Sequence, residues 1–153
     1  MQSVAAALQD WGVAAFLRRS VWAYPLVNFI HVLGLGFLIT SAVLMDLRVL
    51  GVARKVELGT VIGHLRPVAI TALVVTISAG FLLFTVQATL YAANPVYLAK
   101  MALLAAAILN AALFTSFRAD RQPEAGATRA MAVLSMVLWV SVAAAGRLIA
   151  FFD

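Results

Sequence analysis

The chain has 153 residues, of which 65% are apolar and only 11% are charged. Ordinary soluble domains are about half apolar and about a quarter charged, so this chain has too few polar side chains to cover a surface that faces water. The composition therefore excludes a soluble globular protein and indicates a surface that faces lipid. Because the sequence contains no cysteine, disulfides, thiolate metal sites, iron–sulfur clusters and thiol nucleophiles are excluded as well.

The net charge of +5 raises the question of nucleic-acid binding. Such binding requires basic residues on one polar face, with aromatic residues between them, and this pattern is absent. The basic residues lie instead near the ends of apolar stretches. We therefore predict a lipid bilayer, and no nucleic acid, as a partner of a single domain that covers residues 1–153.

Residues 1–19 carry apolar side chains at helical spacing, but the segment is too short and too interrupted to span a bilayer. We predict a short amphipathic helix that lies along the membrane surface. The segment lacks the basic start and the small-residue cleavage site of a secretory signal peptide, so we expect it to be retained.

Four long apolar stretches follow, at residues 21–45, 67–90, 96–117 and 130–151. Each is close to the roughly 20 residues that cross a hydrocarbon core of about 30 Å. Strand-like alternation is absent, and an open sheet could not span lipid because its edges would leave backbone groups unpaired. The sequence predicts an all-α fold, an integral membrane four-helix up-down bundle.

The connections between these stretches predict how the helices pack. The short turn at residues 91–95 makes the second and third helices antiparallel neighbours, and Pro95 suits the first turn of the third. The third helix is rich in alanine and the others contain glycine. Small residues let helix backbones approach closely, so we predict a compact bundle.

The basic residues also predict an orientation, because Lys and Arg in short loops stay on the cytoplasmic side. One side holds Arg48, Arg54, Lys55, Arg66, Arg118, Arg121 and Arg129, and the other holds Arg18, Arg19, Lys100 and Arg147. This bias predicts that both termini face the periplasm, although the Arg18–Arg19 pair opposes it.

Polar side chains inside lipid cost free energy and therefore mark candidate functional sites. At a rise of about 1.5 Å per residue, His31 lies roughly 10 Å below the outer face, and Lys100 and Arg147 lie roughly 7 Å below it. Further polar residues fall at a similar depth: Asn28, Gln87, Tyr24, Tyr91 and Tyr97. Two cations and a histidine without a buried carboxylate indicate an anionic ligand, such as a carboxylate, a lipid head group or the propionates of a haem.

Each of these residues also has a plainer explanation. Lys100 and Arg147 could extend to the lipid head groups, and His31 could be a packing residue with a hydrogen bond to a neighbouring helix. His64 cannot join His31 on one iron within one chain. The predicted inner boundary near Pro67 places the two histidines roughly 20–25 Å apart, whereas two axial nitrogens lie only about 4 Å apart.

Asp46 lies at the opposite, cytoplasmic end of the first helix. We expect it to pair with Arg48, with Arg66 or with the backbone amides that open the next helix, and a proton or metal site is the alternative. Asn110, in the middle of the third helix, is expected to form a hydrogen bond across helices.

The sequence shows no Gly-rich phosphate loop, no His-Glu-x-x-His zinc motif and no paired carboxylates within one span. Ordinary hydrolase chemistry is therefore not expected. An electron-transfer or binding role agrees better with the residues present.

Four ordered motifs carry a resemblance to a known family: W-A-Y-P…N-F-I-H-V-L-G from Trp22, D-L-R-V-L-G from Asp46, Y-A-A-N-P…K-M from Tyr91 and A-G-R-L-I-A-F from Ala145. Together they resemble a family of small bacterial four-helix membrane proteins of unknown function. The resemblance covers nearly the whole chain and implies a bacterial inner (cytoplasmic) membrane location. Its pattern includes the positions of His31, Lys100 and Arg147, but not that of His64. In architecture such proteins are loosely similar to copper-resistance membrane domains and b-type membrane cytochromes, a likeness at the level of the fold.

The leading hypothesis is a haem b-binding electron-transfer protein of the inner membrane. His31 is its predicted axial metal ligand, alone, with a non-histidine ligand or with a second His31 across a dimer axis, and Lys100 and Arg147 pair with the propionates. The other predicted cofactor-binding residues are Asn28, Gln87 and Tyr24. One alternative is a transport or sensing protein whose pocket binds a small anion, a lipid or copper, and another is a structural subunit of a membrane complex. We expect a homo-oligomer under the haem and transport hypotheses, and electron transfer would need a membrane redox partner.

Overall fold

A computed structural model describes residues 2–117 and 119–151, so Arg118, which belongs to the predicted charge bias, lies outside the described residues. The described chain is helical and contains no strand. Its α-helices are α1 (Gln2–Gln9), α2 (Gly12–Arg19), α3 (Ala23–Val49), α4 (Leu58–Val86), α5 (Ala88–Ala93), α6 (Pro95–Ser116) and α7 (Gly126–Leu148). Short 3₁₀ turns cover Ala119–Arg121 and Ile149–Phe151. The predicted all-α class is confirmed.

Four of the helices, α3, α4, α6 and α7, are long and apolar enough to cross a membrane. In the most apolar part of each, at most 28% of the residues are buried inside the protein. Large apolar side chains, such as Phe29, Phe37, Ile70 and Val137, are exposed on the outside of the bundle. A surface of this kind is stable only against lipid. The chain is thus a multi-pass membrane protein, as the composition predicts.

The N-terminal segment is helical as predicted, but it forms two helices with a break at Asp10 and Trp11. α1 packs on α5, and α2 packs on α3 and α4. Arg18 donates from Nη1 to the backbone oxygen of Val86 over 3.2 Å. The Thr89 amide and hydroxyl both donate to the Gln9 side-chain oxygen. These bonds satisfy polar groups where α4 ends and α5 begins, so the segment is attached to the end of the bundle that contains α5, called here the α5 end.

α4 begins earlier than the sequence predicts, at Leu58 instead of near Pro67. Counting about 20 residues back from the outer end of this span places its inner boundary near Pro67. In the structure Pro67 lies inside α4, and prolines are tolerated inside spanning helices because neighbouring groups compensate for the missing N–H. His64 consequently belongs to α4, where its Nδ1 lies 2.8 Å from the backbone oxygen of Thr60.

The spanning helices pack in the order α4, α3, α7, α6, while α4 and α6 hardly approach each other. The sequence predicts that these two helices are antiparallel neighbours. They are antiparallel, but Gln87 ends α4 and the additional helix α5 lies between them in the chain. The longer connection allows the two helices to stay apart.

Two cavities lie within the bundle, and residues of all four spanning helices line each of them. Leu38, Leu73 and Trp139 line both cavities, and we call these three residues the central layer. Leu38 and Trp139 belong to a core cluster with Ala107 and other small residues. The first cavity lies at the α5 end of the bundle. The second cavity lies at the opposite end, where α3 connects to α4 and α6 connects to α7. We call this end the loop end.

The alanines of α6 pack less closely than predicted. Ala107 is buried, but Ala102, Ala105, Ala111 and Ala112 are exposed. The predicted cross-helix role of Asn110 is confirmed, because its Nδ2 donates to the backbone oxygen of Met131 over 3.1 Å. This bond joins α6 to α7.

Candidate ligand-binding site

The cavity at the α5 end has a volume of about 600 Å³ and contains most of the site residues predicted from depth alone. Its walls include His31, Lys100, Arg147, Asn28 and Tyr24. We call it the His31 cavity. The tertiary structure thus brings together side chains that come from three different helices of the sequence.

Gln87 is the predicted site residue that the structure does not bring to this cavity. It lies at the C-terminal end of α4, where its side chain is exposed, and it is not among the lining residues. It lies at the same end of the bundle as the cavity, but it does not contribute to the cavity wall. Depth can be counted along a helix, whereas direction depends on how the neighbouring helices pack.

His31 is held by the backbone of α4. Its Nδ1 lies 2.9 Å from the backbone oxygen of Thr76. A carbonyl oxygen can only accept, so Nδ1 carries the hydrogen and donates it. In the neutral imidazole, Nε2 then carries no proton and keeps its lone pair free. Histidine binds metals in this form.

Two glycines allow α3 and α4 to approach closely around this bond. A Cβ atom at Gly80 would lie 2.9 Å from Cε1 of His31, and one at Gly34 would lie 2.6 Å from Oγ1 of Thr76. Both distances are shorter than carbon and oxygen contacts allow, so any larger residue would displace a neighbour. The imidazole ring is therefore positioned by a backbone acceptor and by the bare backbone at Gly80.

Lys100 lies half-buried on α6 and packs against α7 at Gly146. Its Cε and Nζ atoms lie 3.5 Å from the point where a Cβ of Gly146 would be. The next residue, Arg147, is exposed, and its guanidinium carbon lies 5.3 Å from the ring centre of Phe151, a cation–π distance. Because Arg147 is exposed, extension to the lipid head groups also explains its position.

The cations of this cavity have no acidic partner. The residues that line it include no aspartate or glutamate. Among the described residues the ion pair that forms joins Arg129 to Glu124, at 3.6 Å. Positive charge without a counter-ion in an apolar bundle favours the binding of an anionic group.

Three aromatic rings form one wall of the His31 cavity. The ring centres lie 5.3 Å apart for Phe84 and Tyr97, 5.5 Å for Tyr91 and Tyr97, and 6.3 Å for Phe84 and Tyr91. Counting depth along the sequence predicts that Tyr91 and Tyr97 lie near His31. It predicts neither the stacking of these rings nor the presence of Phe84. Asn94 caps α6 by accepting from the amides of Val96 and Tyr97, and so fixes the start of the helix that carries Tyr97.

Asp46 does not form the ion pair that the sequence predicts. Arg48 donates from Nε to the backbone oxygen of Val56, over 2.6 Å, and so stabilises the connection between α3 and α4 instead. Asp46 and Arg66 line the second cavity together, but no ion pair joins them. His64 lines neither cavity, in agreement with its exclusion as a partner of His31.

The donor set restricts what the His31 cavity could hold. In the described part of the chain, no three His, Asp or Glu side chains come together. In the His31 cavity, a bare metal ion would therefore have one imidazole ligand, His31, and no carboxylate ligand. Protein metal sites use more such ligands. An anionic organic ligand, or a metal that brings its own ligands, fits the side chains better.

Comparison with known proteins identifies one relationship. The model of a family of unknown function, DUF6644, matches residues 14–152. No curated protein and no solved structure matches the chain.

Proposed function

The chain belongs to this family of unknown function, and from its site we propose that it is a membrane protein that binds haem b and transfers electrons. The observation that carries the proposal is the state of His31, whose Nδ1 hydrogen is bonded to the Thr76 backbone oxygen in the same cavity as Lys100 and Arg147. Histidines that bind metals usually donate their other ring nitrogen in this way, which fixes the tautomer and increases the basicity of the ligating nitrogen.

The remaining side chains fit a large, flat and partly anionic ligand. A volume of about 600 Å³ lies within the range of pockets for small organic ligands and cofactors. Phe84, Tyr91 and Tyr97 offer aromatic faces against which a macrocycle could stack. Lys100 and Arg147 would pair with the two propionates.

When bound, haem would supply one-electron redox chemistry. The residues of the chain would orient it through His31, compensate its negative charges through Lys100 and Arg147, and exclude water with the aromatic wall. Burial and charge compensation of this kind set the reduction potential of a haem. His64 is exposed and lines neither cavity, so a second ligand from the same chain would come from Met101 or a tyrosine of the His31 cavity.

The test is an absorption spectrum of the full chain, purified in mild detergent from cells grown with excess haem precursor. We expect a Soret band in the wild type that is lost in His31→Ala. The matched control is His64→Ala, which removes the other histidine of the chain and should retain the band. A colourless wild type, or a band that His31→Ala leaves unchanged, would refute the proposal, provided that circular dichroism shows a folded protein.

A second candidate function is the binding of a small anion or of an anionic lipid without redox chemistry. The absence of any carboxylate among the residues that line the His31 cavity favours it. With succinate or phosphatidylglycerol as probes, this function predicts thermal stabilisation of a colourless protein. Lys100→Gln and Arg147→Gln should then weaken binding more than His31→Ala does, the reverse of the order expected for haem.

Three further predictions accompany the proposed function. A bacterial inner-membrane location with periplasmic termini, a homo-oligomer and a membrane redox partner follow from the sequence argument. Their tests are, in order, accessibility of added terminal tags in intact cells, the mass of the purified particle, and reduction of the haem by membrane donors.

A further inference from the structure

The cavity at the loop end, called here the Asp46 cavity, has a volume of about 490 Å³. Its charged residues are Asp46 on α3 and Arg66 on α4, and the rest of its wall is mainly apolar. The polar residues that α6 and α7 contribute to it are all uncharged: Asn110, Thr115, Ser116 and Ser135.

Asp46 is only 8% exposed, and its Oδ2 is buried without a hydrogen-bond partner. Ser135 supplies a side-chain hydrogen bond to the carboxyl group. The nearby basic residues do not pair with it, because Arg48 binds the Val56 backbone oxygen and Arg66 forms no ion pair in the described structure. An ionised carboxylate in this position would be a buried charge without a counter-ion, the arrangement that burial penalises most.

We propose that Asp46 is a proton-binding site, at which the carboxyl group takes up and releases a proton through the cavity at the loop end. Uptake converts the buried carboxylate into a neutral carboxylic acid, and release restores the charge. The Ser135 hydroxyl suits both forms, because a hydroxyl can donate to the ionised carboxylate and accept from the protonated one.

A metal or sodium ion is a poorer occupant of this cavity than a proton. Such ions need several oxygen ligands, and Asp46 is the single carboxylate among the residues that line the cavity. A proton needs one carboxyl oxygen only.

The proposed site is separate from the His31 cavity. His31 and Asp46 both belong to α3, and at about 1.5 Å per residue they lie roughly 22 Å apart along the helix axis. The central layer of Leu38, Leu73 and Trp139 lies between the two cavities, since it contributes to the walls of both. The proposal does not depend on haem binding, and it can be tested on a protein without any cofactor.

The experiment is infrared spectroscopy of the full chain in lipid nanodiscs at near-neutral pH, where exposed carboxyl groups are ionised. We expect a carbonyl band of a protonated carboxyl group that shifts in D₂O, decreases at alkaline pH and is absent from Asp46→Asn. This substitution mimics the neutral form, so the variant should fold. The matched control, Glu57→Gln, removes an exposed carboxyl group at the same end and should retain the band.

Three results would overturn the proposal. The first is a wild type without the band at near-neutral pH, and the second is a band that survives in Asp46→Asn. The third is a band that sodium ions abolish at constant pH, which would make the occupant a metal cation. Arg66→Gln gives a further check, because a band that appears only in this variant would mean that Arg66 keeps Asp46 ionised.

Discussion

The two cavities of the bundle are lined by the same four helices, yet they hold their polar groups differently. In the His31 cavity the imidazole bonds to the Thr76 backbone oxygen over 2.9 Å, and the ring packs on Gly80. In the Asp46 cavity one carboxyl oxygen is buried without a partner. The first arrangement keeps one side chain in one tautomer and one orientation, whereas the second leaves a group whose charge is not compensated.

The charges of the two cavities differ as well. Lys100 and Arg147 line the His31 cavity without any carboxylate, while Asp46 lines the other with Arg66 as the single cation. Within a membrane, where water does not screen such charges, one or two residues decide what a cavity can accept. One bundle can thus hold cations without a carboxylate at one end and a buried carboxyl oxygen without a partner at the other, with an apolar layer between them.

The largest expected effect comes from Trp139→Ala, which removes the largest side chain of the central layer. Trp139 is only 3% exposed and lines both cavities, so its truncation should lower the free energy of unfolding by about 3–5 kcal/mol. Unfolding in mixed detergent micelles measures this change. The matched control is Trp22→Ala, at a position that is 83% exposed, which should change stability by about 0.5 kcal/mol or less. Similar losses for both variants would mean that Trp139 is no more a core residue than Trp22.

The next effect concerns the close packing in the His31 cavity. Gly80→Ala places a Cβ 2.9 Å from the His31 ring and should cost about 1–3 kcal/mol of stability, together with loss or weakening of the Soret band. The control, Gly63→Ala, lies in the same helix with no atom within 4 Å of the new Cβ. It should be neutral or stabilising by up to about 1 kcal/mol, since alanine favours helix more than glycine does. Equal behaviour of the two variants would contradict the proposed packing of His31.

A smaller effect is expected at the opposite cavity from Asn110→Ala. This change removes the bond from Asn110 to the Met131 backbone oxygen and should cost about 1 kcal/mol in unfolding experiments. Because Asn110 lines the Asp46 cavity and not the His31 cavity, any Soret band should stay unchanged. A spectral change in this variant would show that the central layer does not isolate the two sites.

The smallest effect is expected from Gln87→Ala, because this exposed side chain does not line the His31 cavity. Titration of the apoprotein with haem should give an unchanged affinity. Lys100→Gln, which removes a lining cation, should weaken binding about tenfold, the loss typical of a hydrogen bond to a charged group. If Gln87→Ala weakened binding as much, the ligand would lie nearer the end of α4 than the His31 cavity.

Hydropathy and residue counting are enough to predict the four spans and the common depth of His31, Lys100 and Arg147. Lipid imposes this, because a spanning segment must be long, apolar and internally hydrogen-bonded. The position of a residue in such a segment then gives its depth directly. The membrane-protein class is therefore readable from the chain alone, and so is the common end of the bundle at which His31, Lys100 and Arg147 lie.

Packing decided which side chains share a cavity. In a water-soluble helix the apolar stripe indicates the face that points inwards, but a spanning helix is apolar on every side, so this signal is lost. For this reason the sequence favours Gln87, which does not line the His31 cavity, and contains no signal for Phe84 and Trp139, which do. It also favours a cation or backbone amides as partners of Asp46, whereas in the folded chain Arg48 binds the Val56 backbone oxygen and one carboxyl oxygen of Asp46 is buried without a partner.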